Sequence, residues 1–312
     1  MQLKNALICV AVLLSGCQTV QNQSIPLHKN FLDNADQLEI KRPTWRLRDS
    51  VYQQHLPGYE IHSTETAWAK TDRTQLWFSE SGGLLEGFEI KDKFLRLLFL
   101  DLLDLRRQTR HRYLFHSEQD FAFALTPNNA DKVQVRCRRV AIEDHLDIVR
   151  FSGNQRSSTT ELRQRLNSYL ACELQQNDKQ WRLTVNATDL ESASTPKIEL
   201  QEQIQGQIQR QVSDQIQEQM PTTANETRFE LIKQSSYLVN GEWRTMTFGP
   251  QQFSGLQIQY KNQTVAATSL DGATPKIWLN KDLPTTQKSL LLAINYSLMM
   301  YDWLDSGWRK GQ

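Results

Sequence analysis

Ser194 and Lys197 stand at the Ser-x-x-Lys spacing. On a helix that spacing sets a lysine one turn from a serine nucleophile. Pro196 lies between them and holds the residue before it in extended backbone, which breaks that geometry. No Ser-Asp-Asn or Lys-Thr-Gly companion occurs. Ser79-Glu80-Ser81-Gly82-Gly83 lacks the first glycine of a nucleophile elbow, and there is neither a phosphate-cradling loop nor a Gly-x-Gly-x-x-Gly turn. The six histidines form no His-x-x-x-His pair or other metal spacing. The pattern therefore assigns no catalytic residue, no metal ligand and no cofactor. Carboxylates are plentiful, but an acid–base pair needs a spatial pairing that sequence does not supply.

Arginine carries the other chemistry. Arg106, Arg107, Arg110 and Arg112 form one cluster, and Arg136, Arg138 and Arg139 a second. Residues 91–165 hold 15 Lys+Arg against 10 Asp+Glu, net +5, while 186–230 hold 3 against 8, net −5. A guanidinium fork suits carboxylate and phosphate, so these seven arginines are candidates for an anionic envelope component or an acidic partner. The competing expectation is internal pairing of the two halves and a solvated strand face.

The N-terminus gives an address. Lys4 precedes the nine-residue apolar core Ala6–Leu14, then Ser15-Gly16-Cys17 follows. The core is too short to span a bilayer and has the form of a secretory signal. Leu14-Ser15-Gly16-Cys17 resembles the lipobox of bacterial lipoproteins. That resemblance covers the leader alone. It implies a diacylglycerated Cys17 thiol, cleavage before Cys17, and acylation of the new amine. Three acyl chains at about 0.8 kcal/mol per buried methylene make an anchor that hardly dissociates. In the same pattern Gln18, where Asp would signal inner-membrane retention, implies the outer membrane, facing the periplasm. Without Lys4 the Lys+Arg count falls from 36 to 35, against 35 Asp+Glu, so the mature chain is neutral. Neutrality argues against a nucleic-acid partner.

With Cys9 in the leader and Cys17 acylated, two of the four cysteines remain, Cys137 and Cys172. An even remainder in an oxidising compartment predicts one disulfide, and two cysteines alone cannot complete a zinc site.

The elements that must position these residues follow from periodicity. The chain is 312 residues, 39% apolar and 23% charged, with no run of eighteen apolar residues, which suits a globular body and excludes a helical membrane bundle. Residues 17–44 read as a polar tether. The apolar run Phe94–Leu105 predicts a buried helix near 90–112, with the first arginine cluster in its last turn. Period-two alternation predicts strands at 113–115, 121–125, 133–140, 146–151, 169–174 and 181–185, which would place the disulfide between non-consecutive strands. In the Gln-rich stretch 199–220, apolar residues recur every four positions; length favours a helix, although the alternation also fits a strand. Pro284 to Trp303 predicts a core helix, with Thr285 or Asp282 as cap and Pro284 in the first turn. Thr184–Leu190 and Thr195–Leu200 recur as Thr264–Leu270 and Thr274–Leu279, which suggests a duplicated strand–strand–helix unit.

The expected fold is therefore α+β, a strand-rich antiparallel body with a buried helix near 90–112 and a C-terminal core helix near 284–304. Its segments are a signal peptide 1–16, a tether 17–44, a disulfide-containing region 45–190, a Gln-rich helical linker 191–227 and a strand–helix region 228–312, with 45–190 and 228–312 packed as one domain as the alternative to two. The expected function is a non-enzymatic binding or scaffolding lipoprotein of the envelope. A glycan or lipid hydrolase without a readable motif is the alternative.

Overall fold

A computed structural model of the chain describes residues 23–41, 54–81, 107–128, 131–152, 155–188, 196–203, 227–232, 236–239, 242–245, 253–271 and 274–309. Cys17, Arg106, the run 94–105 and residues 204–226 lie outside the described residues.

Among the described residues the body is mostly β and its sheets are antiparallel. The largest sheet has eight strands: β3 (Gln54–Leu56), β4 (Tyr59–Thr66), β5 (Lys70–Ser81), β6 (Arg107–Pro127), β7 (Val133–Ser152), β8 (Gln155–Gln176), β9 (Lys179–Thr188) and β10 (Lys197–Gln203), in the order β10-β9-β8-β7-β6-β4-β3 with β5 also on β6. A five-stranded sheet runs β11 (Thr227–Ile232), β14 (Gly255–Tyr260), β15 (Gln263–Ser269), β16 (Lys276–Asn280) and β2 (Ala35–Glu39). β1 (Gln23–Ser24), β12 (Ser236–Val239) and β13 (Glu242–Thr245) form a small third sheet. The helices are α1 (Lys29–Asp33) and α2 (Thr285–Leu304), followed by a 3₁₀ turn at Ser306–Arg309.

The alternating strands merge into longer ones than their separate patterns suggest. The stretches 113–115 and 121–125 belong to the 21-residue β6, and 133–140 and 146–151 to the 20-residue β7. No glycine or proline interrupts either strand before its end. Phe121, Phe123, Leu125, Val133, Val135, Leu170, Leu174, Leu183 and Val185 point to one face and are buried there. Arg136, Arg138, Glu173 and Arg182 stand on the other face and are exposed. One solvated face and one packed face account for the alternation.

Helix α2 fills the space between the two large sheets, with contacts to β6, β7 and β8 on one side and β15 and β16 on the other. Every residue from Leu292 to Asp302 is buried. A helix buried all round belongs to the middle of a core rather than to its surface. Leu256, Ile258, Ala266, Ile277 and Leu279 of the five-stranded sheet share one hydrophobic cluster with α2 and with the inner face of the eight-stranded sheet. Polar side chains inside the helix bond back to the preceding turn, Ser297 Oγ to Ala293 O at 2.8 Å and Asn295 Nδ2 to Leu291 O at 2.7 Å. The helix begins after Pro284, which stands at its N-cap position instead of in the first turn, and no side chain caps it. No described helix is long and apolar enough to cross a membrane.

Several expectations are corrected. Residues 107–112 are the start of β6, so the predicted helix does not extend over its C-terminal turn. Residues 197–203 are strand β10, where alternation prevails over the helical reading of the Gln-rich segment. Residues 25–39, expected in the tether, belong to the folded body. Ile25, Phe31 and Ala35 are buried against Ala267 and Trp278, and Ala35–Glu39 is an edge strand on β16.

Cys137 and Cys172 form a disulfide. They stand directly opposite each other in β7 and β8, which are consecutive neighbours, because the strands on either side of residue 145 are one strand. Closing the 34 residues between them stabilises the fold by about 3–4 kcal/mol on the chain-entropy argument.

The repeated sequence gives hairpins in both places, β9–β10 and β15–β16. Their registers differ. Ile198 pairs with Val185, whereas its counterpart Ile277 pairs with Thr268, three residues beyond the counterpart Val265. α2 follows the second copy, while the first continues as strand to Gln203. The likeness is that of two hairpins with different pairing, not of one superimposable unit.

Candidate functional site

Period two divides the arginine clusters between the sheet's faces. Arg110 and Arg112 lie on the outer face of β6, and Arg136 and Arg138 on the outer face of β7. Arg139 lies on the inner face and is buried. Arg112 stands opposite Leu146, eight residues along β7 from Arg138 (146 − 138), which is about 26 Å at ~3.3 Å per residue. The candidates therefore do not make one patch. Arg107 lies in β6 opposite Phe151.

Arg136 and Arg138 do meet, in a trough of about 550 Å³ on the outer face. Its floor is small, with Ala67, Ala122 and Ala171 between longer walls. Arg138 holds Asp120 with both arms of its guanidinium, at 2.8 and 3.2 Å. That bond and the Asp120 charge raise the arginine further above its ordinary value. Arg182 borders the trough and also a second one of about 340 Å³ that runs toward Lys197, Asn186 and Tyr169. The two together cross the sheet from β4 to β10. Glu65, Glu173 and Glu199 line them beside the cations, so the surface is mixed in charge and not a pure anion site.

The inner face holds a denser cluster where α2 ends. Asp305 is the residue after the helix, and its carboxylate is almost wholly buried. A negative charge there opposes the helix dipole. Arg139 Nε offsets it at 3.0 Å, Arg165 makes a second and shorter contact, and Ser168 Oγ donates at 2.8 Å. Ser168 has one proton and gives it to Asp305, so the Tyr301 hydroxyl at 2.5 Å must donate to Ser168. Burial, with the Asp305 charge, pushes the Tyr301 phenol well above its ordinary value and keeps that proton in place.

Arg165 continues the network to Glu143 at 2.9 Å, and Glu143 meets His145 at 3.0 Å. Burial works against the Glu143 charge, but the bonds from Arg165 and His145 outweigh it and hold this carboxyl below its ordinary value. Glu161, bonded to Arg163 at 2.8 Å, is held low in the same way. Asp144, on the other face, is held low by Arg112, whose Nε lies 3.0 and 2.9 Å from its two oxygens.

This geometry suits a structural clamp better than acid–base chemistry. Ser168 lies opposite Ala141, four residues from His145 along β7 (145 − 141), about 13 Å at ~3.3 Å per residue. The serine thus has no imidazole base, and the carboxylate beside it is saturated by two guanidiniums. Ser194, the other serine considered, lies outside the described residues. Among the described residues no three His, Cys, Asp or Glu side chains come together as metal ligands.

Beyond the helix end the eight-stranded sheet continues as a four-stranded blade, formed by β5 with the distal parts of β6, β7 and β8. Its inner face carries a ladder of rings. His111 stacks on Tyr113 with centroids 6.0 Å apart, the Arg73 guanidinium lies 3.5 Å over Tyr113, and Phe115 meets His145 at 4.1 Å. Leu76, Trp77, Phe78 and Leu162 are exposed on the blade, at 48%, 38%, 50% and 53%.

Arg182, Arg165, Ser168, Tyr301, Asp305 and Arg73 were absent from the sequence candidates. Alternation beside Trp181 and Leu183 does place Arg182 outward, but which strands adjoin is a tertiary fact. Compared with known protein families, curated proteins and solved structures, the chain matches none.

Proposed function

We propose that this protein is an outer-membrane lipoprotein, acylated at Cys17 and facing the periplasm, whose body binds or scaffolds another envelope component without catalysing a reaction. In this reading the protein is one α+β body, with α2 as its middle layer, and residues 45–190 and 228–312 are parts of one domain. The observation that carries the proposal is the blade, whose outer face sets exposed Trp77 and Leu162 in one cross-strand row through Arg112 and Leu146, while exposed Phe78 stands on the inner face beside His111. Large apolar side chains left exposed on both faces of one sheet segment mark an interaction site. The mixed-charge trough is a second surface of the same body, suited to a partner carrying both signs.

In-cell photo-crosslinking tests this, with the crosslinker at Trp77 or Leu162, the native leader, and Cys17→Ser in parallel. The expected result is one discrete adduct with an envelope protein, lost when the other residue of the row, Leu162 or Trp77, becomes serine and reduced with Cys17→Ser. Absence of a discrete adduct at both positions, together with turnover of glycan or lipid by the purified protein, would instead favour the hydrolase alternative.

A further inference from the structure

We infer that the outer layer of the five-stranded sheet, residues 25–34, is the face held against the lipid surface, and that the outer trough of the eight-stranded sheet faces away from it. The inference rests on the proposed acylation of Cys17. Chain length carries it. Ile25 is 4% exposed and belongs to the folded body. Eight residue steps separate it from Cys17 (25 − 17), and at no more than ~3.6 Å per residue they reach at most ~29 Å, whatever their path.

The layer order then decides which face is near. Ala266, Ile277 and Leu279 point from the five-stranded sheet toward α2, and Thr268 Oγ1 donates to Asn295 Oδ1 of that helix at 2.5 Å. The intervening residues Ala267 and Trp278 point to the opposite face, and there Ile25, Phe31 and Ala35 pack on them. The N-terminal segment is therefore the outermost layer, followed by the five-stranded sheet, α2 and the eight-stranded sheet. With about 10 Å between successive layers, the trough lies roughly 30 Å from the layer that carries Ile25. A tether of ~29 Å could not pass round the edge of the body and still place the trough on the bilayer. The near layer suits the position. Leu32 is 41% exposed on α1, among exposed His28, Lys29, Asn30 and Asp33, which offers one apolar side chain to the acyl boundary and polar neighbours with one charge of each sign to headgroups.

The test uses the acylated full-length protein in vesicles of phosphatidylethanolamine and phosphatidylglycerol that carry a headgroup energy-transfer acceptor. A dye is placed at Leu32→Cys or at Gln134→Cys, an exposed outer-face position of β7. Transfer should be efficient from position 32 and at background from position 134. A Gly/Ser insert of about 40 residues after Cys17, with an r.m.s. span of ~35 Å, should abolish the difference. Mass spectrometry of the mature N-terminus separates the failures. An acylated protein with equal or reversed transfer overturns the orientation alone. A non-acylated protein overturns the lipoprotein reading and the orientation with it.

Discussion

Asp305 sets the stability of one end of the core. It ends α2 with the sign the helix dipole disfavours, and is held there by Arg139, Arg165 and Ser168. Asp305→Asn keeps the shape and removes the charge, leaving two guanidiniums facing a neutral amide. Breaking one side of a buried ion cluster costs about 3–5 kcal/mol, so the urea midpoint should fall accordingly. Acid should act nearby. Glu143 and Asp144 have ordinary values of 4.5 and 3.8, and both are held lower in the fold. Their contribution is complete above those ordinary values and is lost as pH falls through the depressed folded ones. Urea midpoints should therefore hold from neutrality to about pH 5 and decline below it, and Glu143→Gln with Asp144→Asn should flatten the decline. The sequence grouped seven arginines by proximity along the chain; the strand period separated Arg139 from Arg138 and gave them opposite environments.

Elements depend on close approaches as much as on propensity. At Gly255 in β14, an added Cβ would lie 2.3 Å from Thr268 O and 2.7 Å from Ile25 Cγ2. The backbone oxygen cannot yield without breaking the β14–β15 pairing. Gly255→Ala should therefore cost ~2 kcal/mol or more and loosen the segment from Ile25 to Lys41, seen as faster amide exchange there. Gly58 is a useful contrast. It has φ +82° and nothing near its Cβ position, so Gly58→Ala meets only backbone strain, of about 1 kcal/mol, and should leave exchange at 25–41 unchanged. Period two was readable in β6 to β9, and so was the apolar face of α2. Strand ends were not readable, because an alternating pattern does not say where neighbouring strands stop supporting it. The helix predicted over 90–112 gave way at 107–112 because β5 and β7 pair with those residues on both sides.

For the whole molecule, the helix placed last in the chain is the middle of the body. Both large sheets close on α2, so neither has a finished core without it. Removal of residues 285–312 should leave no cooperative transition in either sheet. The intact protein should unfold in one step, with far-UV circular dichroism and tryptophan fluorescence coinciding. Two separated transitions would show that the sheets fold as independent units. The same layering makes the short N-terminal span informative, because it puts the proposed anchor on one side of the body and the trough on the other.

The sequence by itself determined what depends on near neighbours along the chain: the lipobox-like leader as an expectation, the alternation of β6 to β9, the apolar helix at the C-terminus and an even pair of cysteines. Tertiary structure alone decided which strands adjoin, and therefore that Cys137 faces Cys172, that Arg182 joins Arg136 and Arg138, and that Asp305 meets Arg139 and Arg165 across more than a hundred residues of chain. The reason is physical. A two-residue period fixes the face a side chain occupies, but contact across a sheet or onto a helix depends on strand order and register, which arise only when distant segments bury their apolar faces together.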